Sequence, residues 1–371
     1  MRQDLMPRTR PALLVALAAA LVAGLSAFTP PGPPRPTADA TGDAVLADRL
    51  RAATTDVVGR GFAVAAGNGT TSASAAIGTA DAGRPLTATT PQEIGSVTKS
   101  MTGLLFADAV ERGEVAPETT LAEVYPDAGL APELAVTTLA ELATQTSGLP
   151  RLSTRAHVAS LWTGLTYGNP YAWDTPGSLL SDAGSTLLRT PRGEYAYSNL
   201  GYALLGNALA ARAGTSYPQL LAERVLVPLG LTATVAGPAA PPAGSARELA
   251  PDGRATSPWL SAGSTPAGTG VWSTAEDLGR LARAAATGQL PGTRALEPAV
   301  ETGGAWAGWG WLVAQVGGRT VVGFNGATYG AQSSIWAEPA TGDWVAVTAP
   351  TGAGTGPGTQ DVAFRLLGLQ N

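Results

Sequence analysis

The sequence predicts a mixed α/β chain of the α+β type, in which helices flank an antiparallel sheet and an all-helical lobe is added. A strong hairpin signal, Gly67-Asn68-Gly69, lies early in the chain. Helical patterns dominate residues 137–214, and a series of short strand patterns follows at residues 306–347. Because strands on both sides enclose a helical middle, we expect the sheet and the helical lobe to form separate layers.

The first 40 residues have the order of a secretory signal peptide. Positively charged residues precede an uncharged stretch, residues 11–28, rich in Ala, Leu and Val; a Pro-rich run and Ala38-Asp39-Ala40 follow. The alternative is an uncleaved membrane anchor, since this length is at the short end of a spanning helix. We therefore predict a signal peptide or N-terminal anchor with a Pro-rich linker at residues 1–40. Residues 41–371 are predicted to form one domain outside the cytoplasm, secreted or anchored.

The elements at the start of this domain have clear patterns. Residues 43–58 carry apolar residues at helical spacing, and strands at residues 62–66 and 72–77 flank the hairpin turn. Gly95 then provides a turn. The next segment is predicted to be a mostly buried helix because it carries an apolar stripe, formed by Met101, Leu104, Leu105, Ala109 and Val110.

The middle of the chain is predicted to be mainly helical, with helices at residues 138–143 and 200–211. Residues 157–173 contain four aromatic residues and are expected either to line a substrate cleft or to pack within the helical lobe. Residues 236–258, rich in Pro, Ala and Gly, are predicted to be a surface loop. Ser273-Thr274-Ala275-Glu276 has capping-box spacing and predicts the start of another helix.

The last third of the chain is predicted to supply most of the sheet. Gly317-Gly318 and Thr341-Gly342-Asp343 are turn signals between strand patterns, which lie at residues 309–313, 320–324, 333–336 and 344–347. A final helix is expected at residues 361–369.

The composition excludes several classes of function. A chain of 371 residues that is 44% hydrophobic can bury a large core. The net charge is −5 and no basic cluster follows the first ten residues, so no nucleic-acid partner is expected. The absence of cysteine excludes disulfides and a thiol nucleophile, and a single histidine excludes a multi-histidine metal site. We expect neither a metal nor a cofactor.

The chain has one lysine, Lys99, among 23 basic residues. Arginine cannot give up its proton in a protein, whereas a desolvated lysine can become a neutral base. Ser96 lies three residues earlier, so on a helix both side chains would share one face. Ser96 is then the candidate nucleophile and Lys99 its base. The alternative is a chance spacing, with Lys99 an ordinary surface charge.

A second group of polar residues precedes the helix predicted at residues 200–211. Tyr197 could carry a proton if its pKa falls, and Asn199 could orient a substrate or Lys99. The alternative for Tyr197 is an ordinary buried aromatic residue.

Three segments resemble motifs of the penicillin-recognising serine hydrolases: Ser-Val-Thr-Lys at residues 96–99, Tyr-Ser-Asn at 197–199, and Thr-Gln-Thr-Ser-Gly-Leu-Pro at 144–150. They are most similar to the branch of class C β-lactamases, D-alanyl-D-alanine carboxypeptidases and family VIII-type esterases. The resemblance implies a β-lactamase/transpeptidase-like fold and an acyl-enzyme mechanism. It implies that Ser96 attacks, that Lys99 and Tyr197 exchange its proton, and that Asn199 holds the substrate.

A further motif of this family lies on a strand and usually reads Lys-Thr-Gly or His-x-Gly. The stretch of this chain that matches it is residues 323–328. Gly326 fits, since a missing side chain would let substrate lie along the strand. The resemblance implies an oxyanion hole from the amides of Ala327 and Ser96. Phe324, however, occupies the position of the cation, and it can neither bind a carboxylate nor assist proton transfer.

Phe324 leaves three possibilities open. The enzyme prefers uncharged small esters or amides; another cation such as Arg319 reaches the site; or activity is largely lost, leaving a cell-envelope binding module. The first predicts an exported serine hydrolase of small esters or amides, with D-alanyl-D-alanine carboxypeptidase or β-lactamase activity as the alternative within the enzyme class. The expected partner is a small-molecule or peptidoglycan-like substrate, with possible membrane anchoring through residues 11–28.

Overall fold

The computed structural model describes residues 30–184 and 188–369. Most of the predicted signal peptide or anchor, residues 1–29, lies outside the described residues. Among the helices within the described ranges, none is long and apolar enough to cross a membrane.

The described strands form one large and one small antiparallel sheet. In chain order they are β1 (Ala40–Gly42), β2 (Gly61–Gly67), β3 (Ser72–Asp81), β4 (Arg84–Pro85), β5 (Gln92–Glu93), β6 (Val235–Ala236), β7 (Val271–Ser273), β8 (Val300–Glu301), β9 (Trp306–Ala307), β10 (Leu312–Val316), β11 (Arg319–Ala327), β12 (Gln332–Glu338) and β13 (Asp343–Ala349). The large sheet has the order β1-β3-β2-β13-β12-β11-β10-β9-β8, with β4 paired to β3. The small sheet has the order β5-β7-β6.

Helices cover both faces of the large sheet. Those described are α1 (Ala44–Ala53), α2 (Thr98–Glu111), α3 (Leu121–Val124), α4 (Pro132–Ala135), α5 (Leu139–Ala143), α6 (Thr154–Thr166), α7 (Pro176–Gly184), α8 (Asn199–Ala213), α9 (Tyr217–Leu221), α10 (Ala275–Thr287) and α11 (Thr359–Leu366). The terminal helices α1 and α11 share a core with Trp336 of β12. The next residue along the strand is on the other side, since Ile335 packs with α2, α8 and α10. The predicted α+β class, with a sheet flanked by helices and a helical lobe, is confirmed.

The helix and the two strands predicted at the start of the domain are present, although their first and last residues differ from the prediction. The Asp43 side chain accepts a hydrogen bond from Leu46 N at 2.8 Å and so caps α1, which ends at Ala53 rather than at residue 58. β2 and β3 form the predicted hairpin, with Gly67 paired to Ser72. Asn68 closes the turn, since its side chain accepts from the backbone nitrogen of Thr71.

The strand predicted at residues 309–313 is wrong in position. Trp309 and Gly310 pack on α2 instead of pairing in the sheet, and Ser100 Oγ donates to Gly310 O at 2.7 Å. A Cβ on Gly103 would lie 1.7 Å from Trp309 O, which shows how closely the segment approaches the helix. The strand therefore starts only at Leu312.

The capping box predicted at Ser273 is also wrong. Ser273 belongs to β7, and its hydroxyl lies 2.8 Å from Thr234 Oγ1. Thr274 caps α10 instead, accepting from Asp277 N at 3.1 Å. The helix itself is where the pattern predicts it.

The loop at residues 236–258 is not simply a surface loop, because it carries a buried carboxylate next to β5. Glu248 Oε1 accepts from the backbone nitrogen of Glu93 at 2.7 Å, and both side chains are buried. The loop therefore packs against the strand that leads to Ser96.

Candidate active site

Ser96 lies in a single 3-10 turn, Gly95–Val97, which leads directly into α2. Gly95 has a left-handed backbone (φ 49°), and a Cβ there would lie 2.8 Å from the backbone nitrogen of Ala327. Only glycine lets the turn pass so close to β11. The turn thereby holds the half-buried Ser96 next to the end of this strand.

Ser96 Oγ lies within hydrogen-bond distance of both Lys99 and Tyr197, the other two predicted catalytic residues. Lys99 Nζ lies 3.0 Å from Ser96 Oγ. Tyr197 Oη lies 2.5 Å from the same oxygen, although 101 residues separate it from Ser96 in the chain. The serine oxygen therefore contacts both an amine and a phenol, either of which can exchange a proton with it.

Lys99 is fully buried, and its Nζ also donates to the backbone oxygen of Ala267 at 2.5 Å. Burial lowers the pKa of Lys99 well below its usual range, and the positive charge of Arg151 lowers it further. Among the described residues, no carboxylate forms an ion pair with Lys99. A buried lysine without a counter-ion favours the neutral amine, which can accept a proton from a serine hydroxyl.

Tyr197 is held by the N-cap of α8. Ser198 Oγ accepts from Gly201 N at 2.9 Å and donates to Pro150 O at 2.7 Å, which ties the segment to the end of the 144–150 motif. Desolvation raises the pKa of Tyr197 to about 12, although its hydrogen bond with Ser96 opposes the rise. This is opposite to the lowered pKa that the sequence hypothesis required. Tyr197 is therefore a neutral phenol, and Lys99 is the better candidate for the base.

Asn199 is the first residue of α8, and its Nδ2 donates to Tyr171 Oη at 2.8 Å. Lys99 instead bonds to Ser96 and Ala267, so the amide of Asn199 does not orient it. The Oδ1 of Asn199 is buried and has no hydrogen-bond partner among the described residues. Of its two predicted roles, contact with a substrate is the one that remains.

Gly326 and Ala327 end β11 beside the Ser96 turn. A Cβ on Gly326 would lie 2.1 Å from Ile94 O and 2.7 Å from Ser96 N. Glycine is therefore needed for the strand to touch the turn, rather than only to leave room for a substrate. The contact brings the backbones of Ser96 and Ala327 together, as an oxyanion hole built from their amides requires.

Ser96, Asn199 and Ala327 line a cavity of about 170 Å³. Three of the residues that line it each have a buried polar atom without a hydrogen-bond partner among the described residues: Asn199 Oδ1, Trp259 Nε1 and Thr269 Oγ1. A buried polar group without a hydrogen-bond partner costs free energy. A hydrogen-bond acceptor, a donor and a hydroxyl without partners around one cavity therefore favour a site where a bound molecule supplies the missing hydrogen bonds. A larger depression of about 580 Å³ contains none of the predicted site residues.

Comparison with known proteins agrees with this geometry. Residues 46–370 match the family model described as Beta-lactamase. The chain belongs to the Beta-lactamase family. These are penicillin-recognising serine hydrolases that work by acyl transfer, so the resemblance seen in the motifs is confirmed.

Two known proteins are similar to the chain. Over 190 residues, half of the chain, it is 30% identical to the "D-alanyl-D-alanine-carboxypeptidase/endopeptidase AmpH" of Escherichia coli (strain K12). The match covers 46% of that protein, so the chain spans about half the length of the curated relatives it matches. A class C β-lactamase from Rhodobacter sphaeroides superposes with a TM-score of 0.71 and 20% identity, covering 86% of this chain and 99% of that one. This likeness shows the fold.

Phe324 is the main departure from the Beta-lactamase family motifs. The register of β11, in which Phe324 pairs with Ile335 and Gly326 with Ser333, puts Phe324 on the same face as Gly326. It is only 4% exposed and is not among the residues that line the Ser96 cavity. The phenylalanine thus fills protein interior at the position where most of the family has a cation.

Arg319 does not replace that cation. It starts β11 at the opposite end of the strand from Gly326, and its guanidinium is bound to Glu338 and to the backbone oxygen of Leu367. Arg319 is seven positions from Gly326 along β11, and its ion pair with Glu338 keeps the guanidinium at that distant end. The sequence hypothesis that Arg319 reaches the site is therefore wrong.

Arg151 is the functional candidate that the motifs did not reveal. Its guanidinium carbon lies 4.8 Å from the centre of the Tyr197 ring, and the residue lines the same cavity as Ser96. It has no ion-pair partner among the described residues. Arg151 directly follows the 144–150 motif, so its adjacency was a usable signal. That this motif lies against Tyr197 could not be read from the sequence.

Proposed function

We propose that the protein is an exported serine hydrolase that forms an acyl-enzyme on Ser96 and acts on small esters or amides. The observation that carries the proposal is the buried Lys99 amine, 3.0 Å from Ser96 Oγ and without a carboxylate partner among the described residues. A structural serine would not need such a neighbour, because burying an unpaired lysine costs stability.

Acylation begins when Ser96 Oγ attacks the carbonyl carbon of the substrate and Lys99 Nζ takes the hydroxyl proton. Ala267 O occupies one N–H of the amine and so orients its lone pair toward Ser96. The negative oxygen of the tetrahedral intermediate would be held by the amides of Ser96 and Ala327. When the intermediate collapses, the bond from carbon to the leaving group breaks and the Ser96 ester remains.

Tyr197 is proposed to pass the proton from Lys99 to the leaving group. As a neutral phenol 2.5 Å from Ser96 Oγ, it can donate its own proton and recover one from the lysine. Deacylation then reverses the direction. Water gives a proton to the same relay while its oxygen attacks the ester carbon. The bond from that carbon to Ser96 Oγ then breaks, the acid product leaves, and Ser96 regains its hydroxyl proton from the relay.

A specific observation favours D-alanyl-D-alanine carboxypeptidase activity as the second candidate. Arg151 supplies the cavity with a cation that Phe324 cannot supply. A guanidinium without an ion-pair partner among the described residues is suited to a substrate carboxylate, such as the C-terminus of a peptide. The name of the AmpH relative points to the same chemistry. The binding-module alternative is weaker, because binding alone does not require the Ser96–Lys99–Tyr197 contacts.

The proposal is tested by intact-mass analysis of the full chain after treatment with a fluorophosphonate, which phosphonylates activated serines. Ser160→Ala is the matched control, since Ser160 lines the same cavity but its hydroxyl donates to the His157 carbonyl and has no hydrogen bond with Lys99 or Tyr197 within the described residues. We expect one adduct on the parent and on Ser160→Ala, and none on Ser96→Ala. An unmodified parent chain would refute activation of Ser96 and favour the binding module.

A further inference from the structure

One helix of the helical lobe, α6, presents an apolar face to solvent. Val158, Leu161, Trp162 and Leu165 of α6 are 62–70% exposed. Their spacing places all four on one side of the helix. Soluble monomers rarely keep so many large apolar side chains together in water, so this face is expected to meet another surface.

The opposite side of α6 forms part of the cavity wall. Ser160 lines the Ser96 cavity, Ala156 is buried, and a Cβ on Gly164 would lie 3.8 Å from Tyr329 Oη, another lining residue. The exposed apolar face is therefore the outer surface of that wall. Whatever covers it lies close to the substrate cavity.

The charges around α6 favour an anionic surface. Residues 142–173 contain no aspartate or glutamate, although the whole chain has a net charge of −5. Arg155 lies in the first turn of the helix. Asp182 of α7 pairs with Arg155 and offsets part of its positive charge. The helix α6 itself has no acidic side chain that would repel anionic headgroups.

The start of the described chain lies at the end of α6. Gly32 N donates to Asp252 O at 2.9 Å, and Asp252 accepts from the hydroxyl of Tyr167, the C-cap of α6, at 3.1 Å. Residues 11–28, the apolar stretch that the sequence predicts to be a signal or an anchor, come shortly before this point. A membrane that held that stretch would therefore be joined to the chain only a few residues before the segment that contacts Asp252.

We propose that the exposed face of α6 docks onto the surface of an anionic lipid bilayer, with Trp162 at the level of the headgroups and the cavity wall against the membrane. Tryptophan favours this depth because its ring is apolar and its N–H is polar. A second copy of the chain fits less well, since the exposed parts of four side chains fall short of the roughly 800 Å² per partner in a stable dimer. The proposal concerns a surface and does not depend on the activity proposed for Ser96.

The absence of cysteine allows a direct test on the full chain. Leu161→Cys is labelled with an environment-sensitive nitrobenzoxadiazole probe and mixed with vesicles of phosphatidylcholine containing about one-third phosphatidylglycerol. Val227→Cys, an equally apolar and exposed site outside α6, is the control. We expect a blue shift and stronger emission from position 161 only, and a smaller effect with phosphatidylcholine alone.

A second variant separates docking by α6 from attachment through the N-terminal stretch. Replacing Val158, Trp162 and Leu165 by serine in labelled Leu161→Cys should abolish the blue shift even if the chain still sediments with vesicles. The proposal is overturned by an unshifted label at position 161, by equal shifts at both positions, or by failure of the chain to bind vesicles. A shift without lipid, together with the mass of a dimer, would show that a second copy covers the face.

Discussion

At the scale of single residues, the proposed chemistry depends on the charge state of Lys99. The side chain acts as a base only while it is neutral, and its burial favours that state. An arginine at the same position would stay protonated at any accessible pH. The single lysine of the chain therefore lies where the proposed mechanism needs a cation that can lose its proton.

Lys99→Arg is expected to lower kcat/KM on a small ester by about 10⁴-fold or more, as removal of a base that acts with its nucleophile does. Arg212→Lys, at an exposed site on α8, is the control for a Lys/Arg exchange as such. Because a buried arginine can disturb folding, Lys99→Met is measured beside it, with thermal unfolding of both variants. A folded variant with nearly normal turnover would show that Lys99 is not the base.

Arg151 should affect how kcat/KM depends on pH. Its positive charge lowers the pKa of Lys99, so Arg151→Gln raises that pKa. Activity needs the neutral amine and rises as the pH passes the pKa of Lys99. The acidic limb of kcat/KM against pH on a neutral ester is therefore expected to move to higher pH in Arg151→Gln. Arg155→Gln, whose guanidinium pairs with Asp182, should leave the limb in place. A limb that stays or moves to lower pH would contradict this coupling.

At the scale of elements, the site depends on β11 lying against the turn that carries Ser96. Gly326→Ala would place a Cβ 2.1 Å from Ile94 O, so either the strand or the turn must move. We expect a loss of about 1–3 kcal/mol in the free energy of unfolding and about 10²-fold in kcat/KM. Gly304→Ala, which meets nothing within 4 Å, is the control for the substitution itself. Urea unfolding and ester kinetics provide both measurements, and unchanged kinetics would mean that β11 does not shape the reacting site.

The buried pair formed by Glu93 of β5 and Glu248 of the 236–258 loop should make the fold sensitive to pH. Burial raises the pKa of Glu248 well above its usual range, and the negative charge of Glu93 adds to the rise. The pKa of Glu93 is also raised by burial. The folded pair thus keeps protons that the unfolded chain loses above about pH 4.3, and stability falls as pH rises through the folded pKa values.

Glu248→Gln keeps the shape of the pair without its second charge. It should raise the free energy of unfolding on the order of 1 kcal/mol at about pH 8, and much less at about pH 5. Glu223→Gln, an exposed carboxylate on the helical lobe, is the control. Urea midpoints at the two pH values measure the effect. Equal changes at both would show that the pair does not set the pH dependence.

At the scale of the whole molecule, the sequence predicts what is local and misses what depends on how distant segments meet. Local patterns located the β2–β3 hairpin, the long strands β11, β12 and β13 and several helices, among them α1, α2 and α8, and the motifs named the residues around Ser96. The packing of Trp309 and Gly310 on α2, the burial of Glu248 and the approach of Arg151 to Tyr197 each join segments far apart in the chain. Such contacts depend on tertiary packing, which overrides local propensity.

The cation that lines the Ser96 cavity comes from the helical lobe instead of the strand, so in the proposed function substrate choice should depend on this long-range packing. Arg151→Gln is expected to lower kcat/KM on a peptide ending in D-Ala-D-Ala by about 10- to 100-fold, the value of one charge-assisted hydrogen bond. On a neutral ester measured above the acidic limb the loss should be much smaller. Equal losses on both substrates would mean that Arg151 does not bind the carboxylate.

Phe324→Lys is the reciprocal test, since it restores the usual cation of the Beta-lactamase family to β11. Position 324 is buried and lies outside the cavity lining. A lysine there would therefore carry an unpaired buried charge and would not contact the substrate. We expect a loss of about 3–5 kcal/mol in the free energy of unfolding and no gain on the D-Ala-D-Ala peptide. A gain in kcat/KM would instead show that β11 still presents position 324 to the substrate, and that Arg151 only supplements it.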